Sequence, residues 1–308
     1  MFRRRILDRI LALDPERDDQ EIYRLSATYE FPFDTTRALE LALFRTYAVP
    51  SIGGLLDATG EFAVRTQKRY DDTDLLLAEL VEHGYESERG LAAIRRINRI
   101  HGRYAISNDD MRYVLSTFVF EPLRWNRRFG WRAWSLTERR ASFRFWREVG
   151  RRMGIADIPA SEAEYERFNI AYERRHFRSN PASRRVADAT RDLFVGWLLP
   201  RPLWPVGYPA IYALLDAPLR EALGYPAPPP ALRWTVEAAV RLRGRAASLL
   251  PDRSRPRLRS ARRVASYPGG YRPDELGAED PAGLAPHWRR HPAAPGCPFS
   301  GAARTERS

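Results

Sequence analysis

Apolar residues recur along most of the chain at the three- and four-residue spacing of an amphipathic helix, and strict apolar–polar alternation is scarce. Helix start signals are frequent: Ser135 with Glu138 has the capping-box spacing, and Asn180 precedes a proline at the first helical position. The pattern predicts helices near residues 2–12, 18–28, 34–47, 60–70, 73–83, 88–103, 108–120, 136–153, 162–177, 182–198, 208–223 and 231–249. We therefore expect an all-α fold, with a single multi-helix domain over residues 1–250.

The helical pattern ends near residue 251. The segment that follows is rich in Arg and Pro, and the stretch after Gly277 is rich in Pro, Ala, Gly and charged residues. Such a composition buries too little apolar surface to offset chain entropy. Residues 251–308 are therefore predicted to form a mostly disordered tail. Tyr267 and Tyr271, followed by Leu276, are the exception, because these side chains could dock onto the domain.

The formal net charge of +12 raises nucleic acids and acidic membranes as partners. Most of this charge lies in residues 231–308, and Lys68 is the only lysine, so the helical part is only mildly basic. Nucleic acid is therefore an unlikely partner. A peripheral membrane contact through the Arg-rich segment 241–263 and the arginines at positions 3–5 stays an alternative.

No apolar run reaches the roughly 18 residues that a membrane-spanning helix needs. The N-terminus begins with the charge of a signal peptide, but Asp8 and Arg9 interrupt its apolar part. We therefore expect no signal peptide, no transmembrane helix and a cytoplasmic location. The single cysteine, Cys297, excludes an intrachain disulfide and a Cys-based zinc site.

One of the five histidines has an unusual setting. Ile94, Ile97, His101 and Tyr104 follow the spacing of one helix face, so His101 is expected to point where the core-facing residues point. Gly102 leaves the helix surface beside the imidazole open. A buried imidazole needs a partner for its ring nitrogens, which is either a backbone carbonyl in an ordinary core or a metal or haem iron.

A second polar group falls on an apolar stripe upstream. If the chain is helical throughout this region, Arg69 and Thr73 share one face with Leu76, Leu77 and Leu80. A guanidinium and a hydroxyl would then face inward, as an ion-paired structural group or as a site. The alternative is a helix that begins at residues 71–74, whose acidic side chains suit a helix N-terminus, and it would leave Arg69 in solvent.

The segments INRIHGRYAISNDDMRYVLSTFVFEPLRWNRRFGWR and ERRASFRFWREVGRRMGIADIPAS resemble the MpaB oxygenase family, relatives of the latex clearing proteins that cleave rubber. The resemblance covers most of residues 1–250 and is strongest over 61–161. The latex clearing relatives are all-α proteins with a b-type haem. In them the axial histidine follows an Arg-x-x-Lys-Thr motif by roughly thirty residues, and here Arg69 and Thr73 have the same spacing, with His101 at the corresponding distance.

Carried onto this sequence, the resemblance assigns His101 to the haem iron, and Arg69 and Thr73 to the haem or distal pocket. The chain departs from the motif at Asp72, where the rubber oxygenases have a lysine, so any distal role of that lysine does not carry over. The catalytic glutamate of rubber cleavage has no clear counterpart, and Glu61 is the nearest candidate.

The resemblance implies an oxidoreductase, a haem b-dependent oxygenase that uses O2 to cleave a carbon–carbon double bond in a lipophilic, isoprenoid-type substrate. Two other classes stay open. One is a haem-binding sensor or carrier without turnover, which an alkene turnover assay would separate from an enzyme. The other is a basic peripheral membrane protein, which salt-sensitive vesicle binding would reveal.

Overall fold

The computed structural model describes residues 4–278 and 286–289, so Arg3, His291 and Cys297 lie outside the described residues. The all-α fold is confirmed, because the described residues form fourteen α-helices and no strand. The helices are α1 Arg5–Leu11, α2 Asp19–Leu25, α3 Pro32–Tyr47, α4 Pro50–Ala58, α5 Glu61–Val64, α6 Thr66–His83, α7 Glu88–His101, α8 Asn108–Phe129, α9 Leu136–Arg152, α10 Glu162–His176, α11 Pro181–Gly196, α12 Trp204–Leu214, α13 Ala217–Ala222 and α14 Pro230–Ser248.

Several helix boundaries differ from the sequence prediction. The predicted break near residue 72 is wrong, because α6 begins at Thr66 and is continuous to His83. Helix α8 continues through Pro122 to Phe129, since its long buried face keeps packing after the proline. The predicted helix 208–223 is two helices, because Asp216 caps a new one by accepting a hydrogen bond from the Leu219 amide.

Helix α8 lies at the centre of the domain and packs along α3, α9 and α10. The main core lies on one side of α8 and includes residues of α2, α6, α7 and α9; the fully buried Tyr23 stacks on Phe145 there, with ring centroids 4.5 Å apart. A second core on the α3 side includes residues of α10 to α13. The two cores leave a cavity between α3, α4, α6, α7, α8, α9 and α11.

The described residues after α14 lie against the helices in irregular structure. The docking of the Tyr267–Leu276 stretch is confirmed: the Tyr271 hydroxyl donates to Glu79 at 2.6 Å, and Leu276 is fully buried in the main core. Arg259 pairs with Asp74 on α6. The chain up to residue 278 therefore adds to the surface around α6 and α7.

Candidate functional site

The cavity between the helices has a volume of about 250 Å³. A single bound water needs only about 10–15 Å³ of such space, so the cavity is many times larger than a hydration site. Its walls are mainly apolar, and six of the side chains that line it are Leu76, Leu80, Ile97, Met111, Leu115 and Phe118. A cavity of this size and lining suits an organic ligand.

Helix α7 carries His101 to the cavity. The Ser87 side chain caps the helix by accepting a hydrogen bond from the Gly90 amide, and Ile94 and Ile97 are buried along the face below. Ile97, His101 and Tyr104 all line the cavity. The inward orientation predicted from the spacing is therefore confirmed.

The His101 imidazole is surrounded by protein and half-buried, because part of its surface faces the cavity. Its Nδ1 atom is buried with no hydrogen-bond partner among the described residues. Burial, helped by the positive charge of Arg69, lowers the pKa of His101 to about 4. The ring is therefore neutral at neutral pH and can offer a nitrogen lone pair to a ligand in the cavity.

Helix α6 carries Arg69 and Thr73. Because α6 is continuous, the helix start at residues 71–74 is wrong, and both side chains line the cavity with the leucines of the same stripe. The Arg69 Nη1 atom donates to Thr73 Oγ1, and the Thr73 hydroxyl donates to the Arg69 carbonyl at 3.1 Å. The guanidinium also lies 5.6 Å from the centroid of the Phe62 ring.

No carboxylate of the described residues forms an ion pair with Arg69. Three carboxylates line the same cavity, but other groups hold them: Glu61 accepts from Arg65 at 3.2 Å, Asp72 pairs with Lys68 at 3.0 Å, and Asp110 accepts from the Tyr172 hydroxyl at 2.7 Å. The cavity therefore presents a cation without a counterion, which is costly unless an anionic or polar ligand completes it.

Asp72, at the position where the sequence departs from the rubber oxygenase motif, is 2% exposed. Its carboxylate accepts hydrogen bonds from Lys68 at 3.1 and 3.0 Å and from the Tyr267 hydroxyl. The only lysine of the chain is thus bound to this carboxylate from one turn earlier on α6. The two groups neutralise each other, so Asp72 does not add a free negative charge beside Arg69.

Of the aromatic residues between 118 and 146, Phe118 and Trp146 line the cavity. Phe120, Phe129 and Phe145 are fully buried in the cores. The sequence analysis missed Asp110 and Trp288 as cavity residues. In the sequence, Asp110 is typical of an acidic residue in the first turn of a helix. Its contact with Tyr172 and its place beside the cavity depend on the tertiary fold.

Within the described ranges, no group of three or more His, Cys, Asp and Glu side chains could hold a metal ion. His101 is thus a solitary nitrogen donor in an apolar chamber. The fold and the site together define an all-α protein in which one helix presents a neutral histidine, and its neighbour an arginine without an ion-pair partner among the described residues, to an apolar cavity that suits an organic ligand.

The chain matches the family described as "ER-bound oxygenase mpaB/B'/Rubber oxygenase, catalytic domain" over residues 38–248, and it belongs to that family. It is 31% identical over 236 residues to the ER-bound oxygenase mpaB' of Penicillium brevicompactum, covering 70% of this chain and 56% of that protein. It is also 31% identical over 228 residues to the ER-bound oxygenase mpaB of Penicillium roqueforti (strain FM164), covering 67% and 76% of the two chains. The chain thus spans little more than half of the first relative.

Proposed function

We propose that this protein is a haem b-dependent oxygenase in which His101 binds the haem iron and Arg69 and Thr73 belong to the haem pocket. The observation that carries the proposal is the His101 ring, which is neutral, faces a large apolar cavity and has no partner for Nδ1 among the described residues. An ordinary core histidine would have its ring nitrogens satisfied by protein groups.

The residues present fit a haem. A haem needs only one protein ligand, because the porphyrin supplies four nitrogens, so a solitary histidine is sufficient. The ligand must be the neutral imidazole, and the pKa of about 4 keeps His101 in that form. No hydrogen bond within the described chain competes for the ring, so nothing has to be broken before it binds iron.

Arg69 and Thr73 supply the polar side of the cavity. The Arg69 side chain lines the cavity, and the planar fork of its guanidinium suits a carboxylate such as a haem propionate or an anionic ligand. Thr73 already accepts from Arg69 and fixes the guanidinium on the α6 face. Both residues therefore act by binding and orientation.

When bound, haem supplies the redox chemistry of an oxygenase, which this chain's side chains cannot supply by themselves. The protein contributes an apolar wall that excludes water, a neutral ligand and one positive charge. The lining favours a lipophilic substrate, for which we propose an isoprenoid-type alkene that is cleaved at the double bond with O2. The family name, which includes rubber oxygenase, supports this substrate class.

The visible spectrum tests the haem proposal. The protein, produced with a haem supply, is expected to show a Soret band with about one haem per chain. His101→Ala is expected to lose or shift that band, and added imidazole should restore it. His83→Ala is the matched control, because His83 ends α6 and contacts Glu79 at 3.7 Å away from the cavity. A colourless wild type, even after haem reconstitution, would refute the proposal.

Turnover separates an oxygenase from a haem-binding carrier. Oxygen consumption and aldehyde or ketone formation are measured with a soluble isoprenoid alkene. The haem-loaded wild type should consume oxygen only when the alkene is present. A Soret band without substrate-dependent oxygen uptake would indicate haem binding without this reaction.

A peripheral membrane contact completes the proposal, since a lipophilic substrate has to be drawn from an apolar phase. No described helix is long and apolar enough to cross a bilayer. Helix α14 exposes Trp234 (71%) and Leu242 (66%) beside the exposed Arg245, a composition that suits the surface of an anionic membrane. The relatives named ER-bound support this part. Salt-sensitive binding to phosphatidylserine vesicles, lost in Trp234→Ala/Leu242→Ala, would be the expected result; equal binding by both proteins would contradict it.

A further inference from the structure

The cavity is not enclosed by the matched domain alone. Gly277, Ala278 and Trp288 line it, although the family match ends at residue 248. These residues reach the cavity through two described stretches, 266–278 and 286–289, which we call the C-terminal wall. Its contacts with α6 and α7 join it to the helices that carry Arg69 and His101.

The wall is bound to α6 through two buried carboxylates, those of Asp71 and Asp72. The Tyr267 hydroxyl donates to Asp72, and Lys68 Nζ lies 2.9 Å from the same hydroxyl and 3.3 Å from the Gly277 carbonyl. One residue earlier on both segments, the Ser266 hydroxyl donates to Asp71 at 2.6 Å. Hydrogen bonds to a buried carboxylate are among the stronger ones, so this side of the wall has a fixed position.

The wall is fastened to α7 as well. Leu276 is fully buried, its carbonyl accepts from Arg96, and the Ala278 carbonyl accepts from Arg103 at 3.1 Å. Gly277 has a φ of +92°, and a Cβ there would lie 2.4 Å from Ile100 Cδ1. Only glycine allows the backbone to turn this close to α7 and reach the cavity.

Trp288 lies where α4 and the end of α7 meet. Its carbonyl accepts from the Ala105 amide at 2.9 Å, and its ring packs with Leu55 and Tyr104. The ring is also 3.3 Å from the position of a Cβ on Gly54, so α4 offers no side chain in its place. The indole therefore occupies the space between the two helices and lines the cavity there.

We propose that the C-terminal wall is part of the binding site and that Trp288 is a specificity-determining residue, which sets the longest alkyl chain that the cavity admits. The proposal rests on the proposed function in one respect, that the cavity takes a lipophilic ligand. Each methylene buried in an apolar cavity raises affinity about fourfold, so a ligand gains affinity with length until it meets the indole. Removing the indole extends the space between α4 and α7.

The experiment uses the full chain and saturated n-alkyl carboxylates of roughly 8 to 18 carbons, whose affinity grows with buried chain length and whose head group suits Arg69. Affinities are measured by displacement of an anilinonaphthalene sulfonate dye. For the wild type, affinity should rise about fourfold per methylene and then level off. For Trp288→Ala, the chain length at which affinity stops rising should be greater by at least about two methylenes. The longest acids should therefore bind to this variant on the order of tenfold more tightly than to the wild type.

Leu198→Ala is the control, because Leu198 is 84% exposed after α11 and does not line the cavity. It should keep the wild-type length profile, and circular dichroism verifies that all three proteins are folded. An unchanged profile in Trp288→Ala would overturn the proposal, and so would the failure of every acid to bind. The Soret band of the same wild-type sample reports separately on haem, so failure here is distinguishable from failure of the haem proposal.

Discussion

Two arginines lie inside this domain in opposite surroundings. Arg45 on α3 is enclosed by carboxylates: it donates to Glu173 at 2.7 Å and to Asp216 at 2.5 Å, and Glu121 lies 3.5 Å away. Arg69 on α6 has only the Thr73 hydroxyl and the face of Phe62 beside an open cavity.

The difference shows which buried cation is structural and which is available to a ligand. The carboxylates around Arg45 raise its pKa well above the usual value, although burial acts in the other direction. This network joins α3, α8, α10 and the start of α13, and its charges are satisfied within the protein. Arg69 has no such compensation among the described residues, so its charge is left for a molecule that enters the cavity.

The largest expected effect comes from removing the paired arginine. Arg45→Met leaves the buried Glu173 without its cation, whereas Glu121 keeps Arg124 at 2.8 Å, and should lower the free energy of unfolding by about 3–5 kcal/mol. Urea denaturation measures this change. Arg69→Met is the matched control and should shift the free energy of unfolding by less than about 1 kcal/mol, since no partner is orphaned. Equal losses in the two variants would contradict the distinction.

The next effect concerns acid stability. The pKa of His101 is about 4 in the folded protein and about 6.5 in the unfolded chain, so the unfolded chain binds a proton that the folded protein rejects. This stabilising contribution is complete above pH 6.5 and is lost as the pH falls toward 4, amounting to about 3 kcal/mol. His101→Leu should lose correspondingly less stability than the wild type over this interval in urea denaturation. Parallel pH profiles would show that His101 is not a buried neutral group.

The third effect sharpens the role of the unpaired arginine. Arg69→Met should weaken haem binding on the order of tenfold, because one charge-assisted hydrogen bond to an anionic group is lost. It should also raise the pKa of His101, since the positive charge of Arg69 lowers that pKa in the wild type. Haem transfer to apomyoglobin and the pH dependence of the haem spectrum measure the two changes. Arg69→Lys, which retains the charge, should keep most of the pKa shift.

The smallest expected effect is at the C-terminal wall. Tyr267→Phe removes one hydrogen bond to Asp72 while Lys68 still neutralises the carboxylate, so about 1 kcal/mol of stability should be lost. Thermal denaturation followed by circular dichroism measures this loss. Tyr225→Phe serves as a control for removal of a tyrosine hydroxyl, because the Tyr225 hydroxyl has no hydrogen-bond partner among the described residues and does not line the cavity. No loss in Tyr267→Phe would mean that this contact does not hold the wall.

The inward face of α7 was predictable from the sequence, because a strict helical spacing puts Ile97, His101 and Tyr104 on one side whatever they pack against. The continuity of α6 was not, because the acidic residues at 71–74 imitate a helix start. Their burial depends on partners far along the chain: Asp72 is covered by Tyr267 and Asp74 by Arg259. Spacing on one helix contains no information on such contacts.

The sequence also could not predict that Arg69 has no ion-pair partner among the described residues. Glu61, Asp72 and Asp110 all line its cavity, and any of them could have been its partner. Only the three-dimensional arrangement shows that each is bound to another group. Pattern and resemblance together therefore indicated which helices form the site, while the free charge in it depends on side-chain geometry.

The match to the family begins at residue 38 and ends at 248, yet the fully buried Tyr23 and Phe31 precede it and Leu276 follows it in the same core. The segment that is shared among relatives is thus smaller than the segment that folds. The C-terminal flank also borders the chamber itself, through Gly277, Ala278 and Trp288. The chain beyond the shared catalytic unit is thus a place where the choice of ligand can be changed separately from the histidine and the arginine of the site.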